Sequence, residues 1–135
     1  MSVEKLNPDS LAQPVMGLYA QVVISRAPRL AFIAGQVALD RNGVLVGNDH
    51  ATQARQAFLN ISLALQAAGA APRNVVKMTL YVVRHSPELI LPIFDAGKSV
   101  FGDNWPLTAS VLVGVQALGL PEWLIEIDAV AALDP

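Results

Sequence analysis

The stretch from Asp49 to Ala68 constrains the fold of this chain more than any other. Ala54, Ala57, Phe58, Ile61, Leu65 and Ala68 recur at steps of three and four. That spacing puts them on one side of an α-helix as a single apolar stripe. Asp49 is suited to cap the start of the helix, and Gly69 to end it in a left-handed conformation. A one-sided stripe has to be buried against another layer, and the flanking sequence supplies strands for it.

Residues 1–18 contain Pro8, Pro14 and Gly17 and read as an irregular arm. Tyr19–Ser25 and Leu30–Ala34 read as two short strands joined by a turn at 26–29, which makes a hairpin. A third extended piece, Gln36–Leu39, runs into Asp40-Arg41-Asn42-Gly43, and Asn42-Gly43 is a strong turn signal. After the helix, Val75–Val83 is a strand with Lys77, Thr79 and Tyr81 on one face and Val76, Met78, Leu80 and Val82 on the other. A second helix is expected from Pro92 to Phe101, stopped by Gly102, because a proline inside a helix removes a hydrogen bond and clashes with the preceding turn. Thr108–Gln116 and Trp123–Ala131 are two further strands. The expected order is β-β-β-α-β-α-β-β in one domain spanning residues 1–135.

Composition excludes several functions. There are no cysteines, so disulfides, thiol nucleophiles and zinc-thiolate sites are out. Net charge is −2 and the nine basic residues form no run, which argues against nucleic-acid binding. No apolar stretch is long enough to span a bilayer and no signal core follows Met1, so the expectation is a soluble cytoplasmic protein. Hydrophobic residues make up 53% of a 135-residue chain. A domain this small has limited interior volume, so part of that apolar surface is expected to pack against another subunit.

Familiar catalytic motifs are missing. No phosphate-binding glycine loop or dinucleotide fingerprint is present. His50 and His85 show no metal-ligand or triad spacing and read as two surface histidines. Glu126 and Asp128 lie two apart on an apolar strand, opposite Ile125, Ile127 and Ala129. They make either a solvated strand face or, for Glu126, a cleft carboxylate that holds or protonates a ligand. Trp105 and Tyr19 suit either core packing or a pocket wall.

Several ordered segments carry a resemblance. Gly17-Leu18-Tyr19-Ala20-Gln21-Val22-Val23 resembles a Gly-Pro-Tyr-Ser-Gln-Ala-Val opening, and Phe32–Val37 a Phe-Thr-Ser-Gly-Gln-Ile segment. Gln53-Ala54-Arg55-Gln56 with Asn60, Asn74–Lys77, Phe101-Gly102-Asp103, Pro106 and Ile125–Ala131 follow in order. The chain is similar in this way, over nearly its whole length, to the RidA/YjgF family, also known as endoribonuclease L-PSP-like. The resemblance implies a chorismate-mutase-like α+β fold: a mixed, mainly antiparallel sheet with two helices packed on one face. It also implies a homotrimer with small-molecule clefts between subunits and no cofactor or metal. The best-known members hydrolyse imine and enamine intermediates derived from amino acids.

Carried over by motif, the cleft-lining tyrosine is Tyr19, the main-chain glycine is Gly35 and the water-positioning glutamate is Glu126. Thr108 stands where these members carry the arginine that clamps the substrate carboxylate, followed by Ala109 and preceded in the same loop by Trp105. The serine before the glycine is replaced by Ala34. An arginine gives a carboxylate two parallel charge-assisted hydrogen bonds, whereas threonine offers one neutral hydroxyl. At roughly 1.5–3 kcal/mol for a hydrogen bond to a charged group, the loss weakens binding of an anionic imino acid by about ten- to a hundredfold. Arg55, Arg73 and Arg84 are the cations to examine as substitutes. With Glu126 kept, a neutral or cationic ligand is favoured over a small anion. The expected activity is hydrolysis or tautomerisation of an imine- or enamine-type metabolite without a carboxylate clamp. The rivals are a non-catalytic ligand-binding or chaperone-like trimer and, behind it, an endoribonuclease.

Overall fold

A computed structural model describes residues 3–135. Six strands and two helices follow the order β1 (Val3–Leu6), β2 (Val22–Ser25), β3 (Leu30–Gln36), α1 (His50–Ala67), β4 (Val75–Val83), α2 (Ile90–Phe101), β5 (Ala109–Val115) and β6 (Ile125–Ala132). Four strands form a mixed sheet in the order β3-β6-β4-β5, with β4 and β5 parallel and the other two pairings antiparallel. β1 and β2 form a separate antiparallel pair.

The expected sequence of elements is found, but its first three strands are different ones. The arm read as irregular contains β1. The expected hairpin of residues 19–34 does not form: β2 pairs with β1 and β3 pairs with β6. Polar side chains hold the first pair together, since the Gln21 N–H donates to Asn7 Oδ1 (2.8 Å) and Gln21 Nε2 to the Ala12 carbonyl (2.8 Å). Residues Gln36–Leu39 are not a strand of their own. Gln36 ends β3, and Leu39 makes one isolated bridge to Leu45 across the Asn42-Gly43 turn. The reason is Asn60, whose Nδ2 donates to the carbonyls of Val37 (3.0 Å) and Leu39 (2.8 Å) and so replaces the ladder bonds a strand would make.

Helix α1 is as the pattern requires. Asp49 caps it, accepting from the Thr52 N–H at 2.8 Å and the Thr52 hydroxyl at 2.9 Å, and Gly69 follows its end at φ 73°. The predicted stripe is buried from Ala54 to Leu65, with Ala68 half-buried, and is joined by Gln53, whose amide bonds the Gly47 and Glu122 carbonyls and the Leu124 N–H. Helix α2 starts two residues earlier than expected, at Ile90. Pro92 is then its third residue, where the N–H has no helical partner to lose. Both helices pack on the sheet face made by Met78, Leu80 and Val82 of β4 with Ile125, Ile127 and Ala129 of β6.

Among the described residues no helix covers the other face of the sheet. Leu30 and Phe32 of β3 and Val111 of β5 are exposed there, Phe32 to 76%. Tyr81 sits on the same face and its hydroxyl donates to Asp128 Oδ2 at 3.2 Å. The Asp128 charge, with burial behind it, raises the Tyr81 phenol above its usual range. No helix among the described residues is long and apolar enough to cross a membrane.

Candidate functional site

Glu126 occupies the second position of β6 and points away from the core-facing Ile125 and Ile127. It borders a groove of about 890 Å³ shared with Gly35, Asp40, Gln56, Asn60 and Trp123. The register of β3 against β6 slips between Ile33 and Gln36, and Gly35 lies in the slip. The Glu126 carboxylate fills the space a side chain at Gly35 would need: a Cβ there would overlap it. The bare main chain of Gly35 and the carboxylate of Glu126 are therefore brought together, as the resemblance implied. Asn60, by holding the 37–39 segment open, also shapes this groove.

Tyr19 lies elsewhere. It lines a depression of about 230 Å³ with Leu18, His85, Phe94, Ser110 and Leu112, and its hydroxyl accepts from the Val15 N–H at 3.2 Å. Thr108 stands at the foot of the same wall. Its carbonyl accepts from the Ala20 N–H at 2.9 Å, which ties the Tyr19 segment to the start of β5. Its side chain is 2% exposed, and its hydroxyl has no hydrogen-bond partner. A buried hydroxyl left unpartnered is uncommon and costly.

The remaining expected residues separate from these. Ala109 begins β5 opposite Lys77 and borders neither space. Trp105 packs edge-on against Phe58, Phe94 and Phe101 at ring separations of 5.4–5.9 Å. Its outer edge meets a third cavity of about 290 Å³ beside Lys5, Arg73 and Asp103. Trp105 thus takes the core-packing alternative within this chain. Of the candidate substitute cations, Arg73 is paired with Asp134 at 2.7 Å, and Arg55 and Arg84 are exposed. None of the three borders the Glu126 groove or the Tyr19 depression.

His85 is the residue that sequence reasoning missed. It is not a plain surface histidine, because it lines the Tyr19 depression and its Nδ1 is buried without a partner among the described residues. Nothing in the spacing of residues 83–88 could have shown this, since it depends on the approach of β5. His50 has a structural role instead, with Nε2 2.7 Å from the Val83 carbonyl.

The two half-sites are well separated in one chain. Glu126 is level with Tyr81 on β4, while Ala109 is level with Lys77 and one strand further away. At about 3.3 Å per residue and 4.8 Å between strands, the Glu126 and Thr108 positions are roughly 19 Å apart. A small molecule cannot touch both within one chain. Among the described residues, no group of three His, Asp or Glu is placed to hold a metal ion.

Comparison with known proteins places this geometry in context. The model of the Endoribonuclease L-PSP family matches residues 10–133. The human 2-iminobutanoate/2-iminopropanoate deaminase is 33% identical over 125 residues, covering 92% of this chain and 86% of that protein. A RutC family protein of Pyrococcus horikoshii is 32% identical, covering 86% and 87%. Among solved structures, YyfB from Yersinia pestis, of unknown function in the conserved Rid protein family, superposes with a TM-score of 0.90 at 39% identity, covering 98% of this chain and all of that one.

Proposed function

Since the chain belongs to the RidA/YjgF family, the Endoribonuclease L-PSP family of the matching model, we propose that it is a homotrimer that takes a small imine- or enamine-type metabolite between subunits, without a carboxylate clamp. The observation that carries this reading is the division of the site into two halves. Gly35 and Glu126 face one groove, Tyr19 and Ser110 face a depression with Thr108 behind it, and a ligand can meet both only where two copies join. The uncovered sheet face with Phe32 and Val111 supplies apolar surface for that joint.

In this reading Glu126 takes a proton from water as the oxygen attacks the C=N carbon. The carbinolamine formed then collapses, releasing ammonia and leaving a carbonyl. The main chain of Gly35 and the Tyr19 hydroxyl orient the ligand. Thr108 contributes a neutral hydroxyl, so the site selects compounds with no carboxylate beside the imine.

A second reading, a ligand-binding protein without turnover, is favoured by the coincidence of Thr108 and Ala34 at the two positions that depart from the best-known members. Ribonuclease action has no support from the charge of −2. The test is ammonia release from an uncharged imine and from 2-iminobutanoate, for the wild type and Glu126→Gln. The catalytic reading expects acceleration mainly on the uncharged imine, falling about a hundredfold in the variant. Binding of the uncharged ketone product with no acceleration for either substrate would establish the second reading.

A further inference from the structure

The placement of His85 is built by its neighbours. β4 ends at Val83, whose N–H donates to the Leu124 carbonyl (2.9 Å) and whose own carbonyl meets His50 Nε2. Arg84 follows at φ 51°, in the left-handed region, which costs a residue with a side chain about 1 kcal/mol or more. That turn brings His85 back across β5. Residue 114, a glycine, eases its fit, since a Cβ there would stand 3.1 Å from the His85 Cβ and crowd it by a few tenths of an ångström. His85 lines the Tyr19 depression, and its Nδ1 lies buried beside it with no hydrogen-bond partner among the described residues. A strained turn and a glycine gap that together bury a nitrogen with no partner gain nothing for stability.

Taking the Tyr19 depression as one half of the ligand cleft, we propose that His85 is a ligand-recognition residue that donates from Nδ1 to an oxygen of a small 2-oxo compound. It selects by protonation state: the neutral imidazole accommodates an uncharged carbonyl compound, and the imidazolium accommodates a carboxylate. When protonated, His85 thereby performs the task for which Thr108 is unsuited.

The charges around the ring are few. Glu88 and Arg84 flank it on its own loop, and Tyr19 faces it from the N-terminal segment. β5 and α2 present Ser110, Leu112, Ile90 and Phe94, none of them charged. The Glu88 carboxyl is held below its usual range, chiefly by the Ser86 hydroxyl and in part by His85. A bound carboxylate favours the imidazolium, so affinity for an anion is full below the His85 pKa. Above that pKa the affinity falls about tenfold per pH unit.

The test uses the full chain, pyruvate as the probe and NMR of the two imidazole rings between pH 5.5 and 8.5. His50, engaged by the Val83 carbonyl, is the internal control. Pyruvate is expected to shift the His85 ring signals and raise its pKa while leaving His50 unmoved. Pyruvate affinity should weaken about tenfold per unit above the His85 pKa, and His85→Asn should flatten that dependence with the His50 signals unchanged. If pyruvate shifts signals of Tyr19 and Glu126 but not those of His85, or binds equally across the range, the proposal fails and the cleft stands. If pyruvate shifts none of them at pH 5.5, the proposal fails, and the cleft reading falls with it only if an uncharged ketone, acetone, also shifts none of them.

Discussion

Thr108 is a threonine whose buried hydroxyl makes no hydrogen bond among the described residues. Its replacement by valine, of nearly the same shape, removes a buried group without removing a hydrogen bond. Thr108→Val is therefore expected to leave stability unchanged or to raise it by up to about 1 kcal/mol. Affinity for an uncharged 2-oxo ligand should fall in the same variant. Denaturant titration together with calorimetry reads both, and a destabilised variant with unchanged affinity would make the hydroxyl structural. Thr108→Arg is the reciprocal change. A guanidinium gives a carboxylate its fork, but residue 108 is 2% exposed and the new side chain must displace its neighbours. Pyruvate affinity at pH 8 is expected to improve by less than the hundredfold that a well-placed arginine gives. Imine hydrolysis should recover poorly, since Ala34 offers no hydroxyl. Unchanged pyruvate affinity in a folded variant would show that residue 108 does not reach the cleft.

At the scale of elements, α1 depends on its cap. The backbone N–H and hydroxyl of Thr52 hold the Asp49 carboxyl below its usual range. A carboxyl with a lowered folded pKa stabilises the protein above its unfolded pKa, and that contribution fades as pH falls through the folded value. Asp49→Ala should accordingly lower Tm at pH 7, with the gap to wild type closing below about pH 4. A gap that persists at pH 2.5 would place the effect elsewhere than in the carboxylate. This helix was legible in sequence because period, cap and terminating Gly69 agree. The partner of β2 was not legible. Four residues of strand do not specify whether they pair forward or back, and the decision rests on Asn7 and Gln21 reaching across a long loop. The end of β3 was misjudged for a related reason, since one distant side chain, Asn60, takes its carbonyls. Gly35 and Glu126 were singled out by separate segments of the resemblance, and the pairing of β3 with β6 sets them side by side. His85 was not, because only the parallel pairing of β4 with β5 brings Gly114 beneath it.

The whole molecule leaves one sheet face open, with Phe32 at 76% exposure and Val111 at 42%. Light scattering at micromolar concentration should give about three times the 14.3 kDa chain mass. Phe32→Asp, which places a charge in the proposed joint, should lower that mass and weaken ligand binding together, because in the proposed trimer each cleft takes two copies. A monomeric wild type that still binds ligand with full affinity would remove the intersubunit cleft. The central claim, a family cleft without its carboxylate clamp, is tested most directly by the rate of ammonia release from 2-iminobutanoate. The measurement belongs at pH 8, where an imidazole of ordinary pKa is uncharged, beside an arginine-bearing family member under the same conditions. A rate at least about a hundredfold below that member's is the predicted result. An equal rate would contradict it.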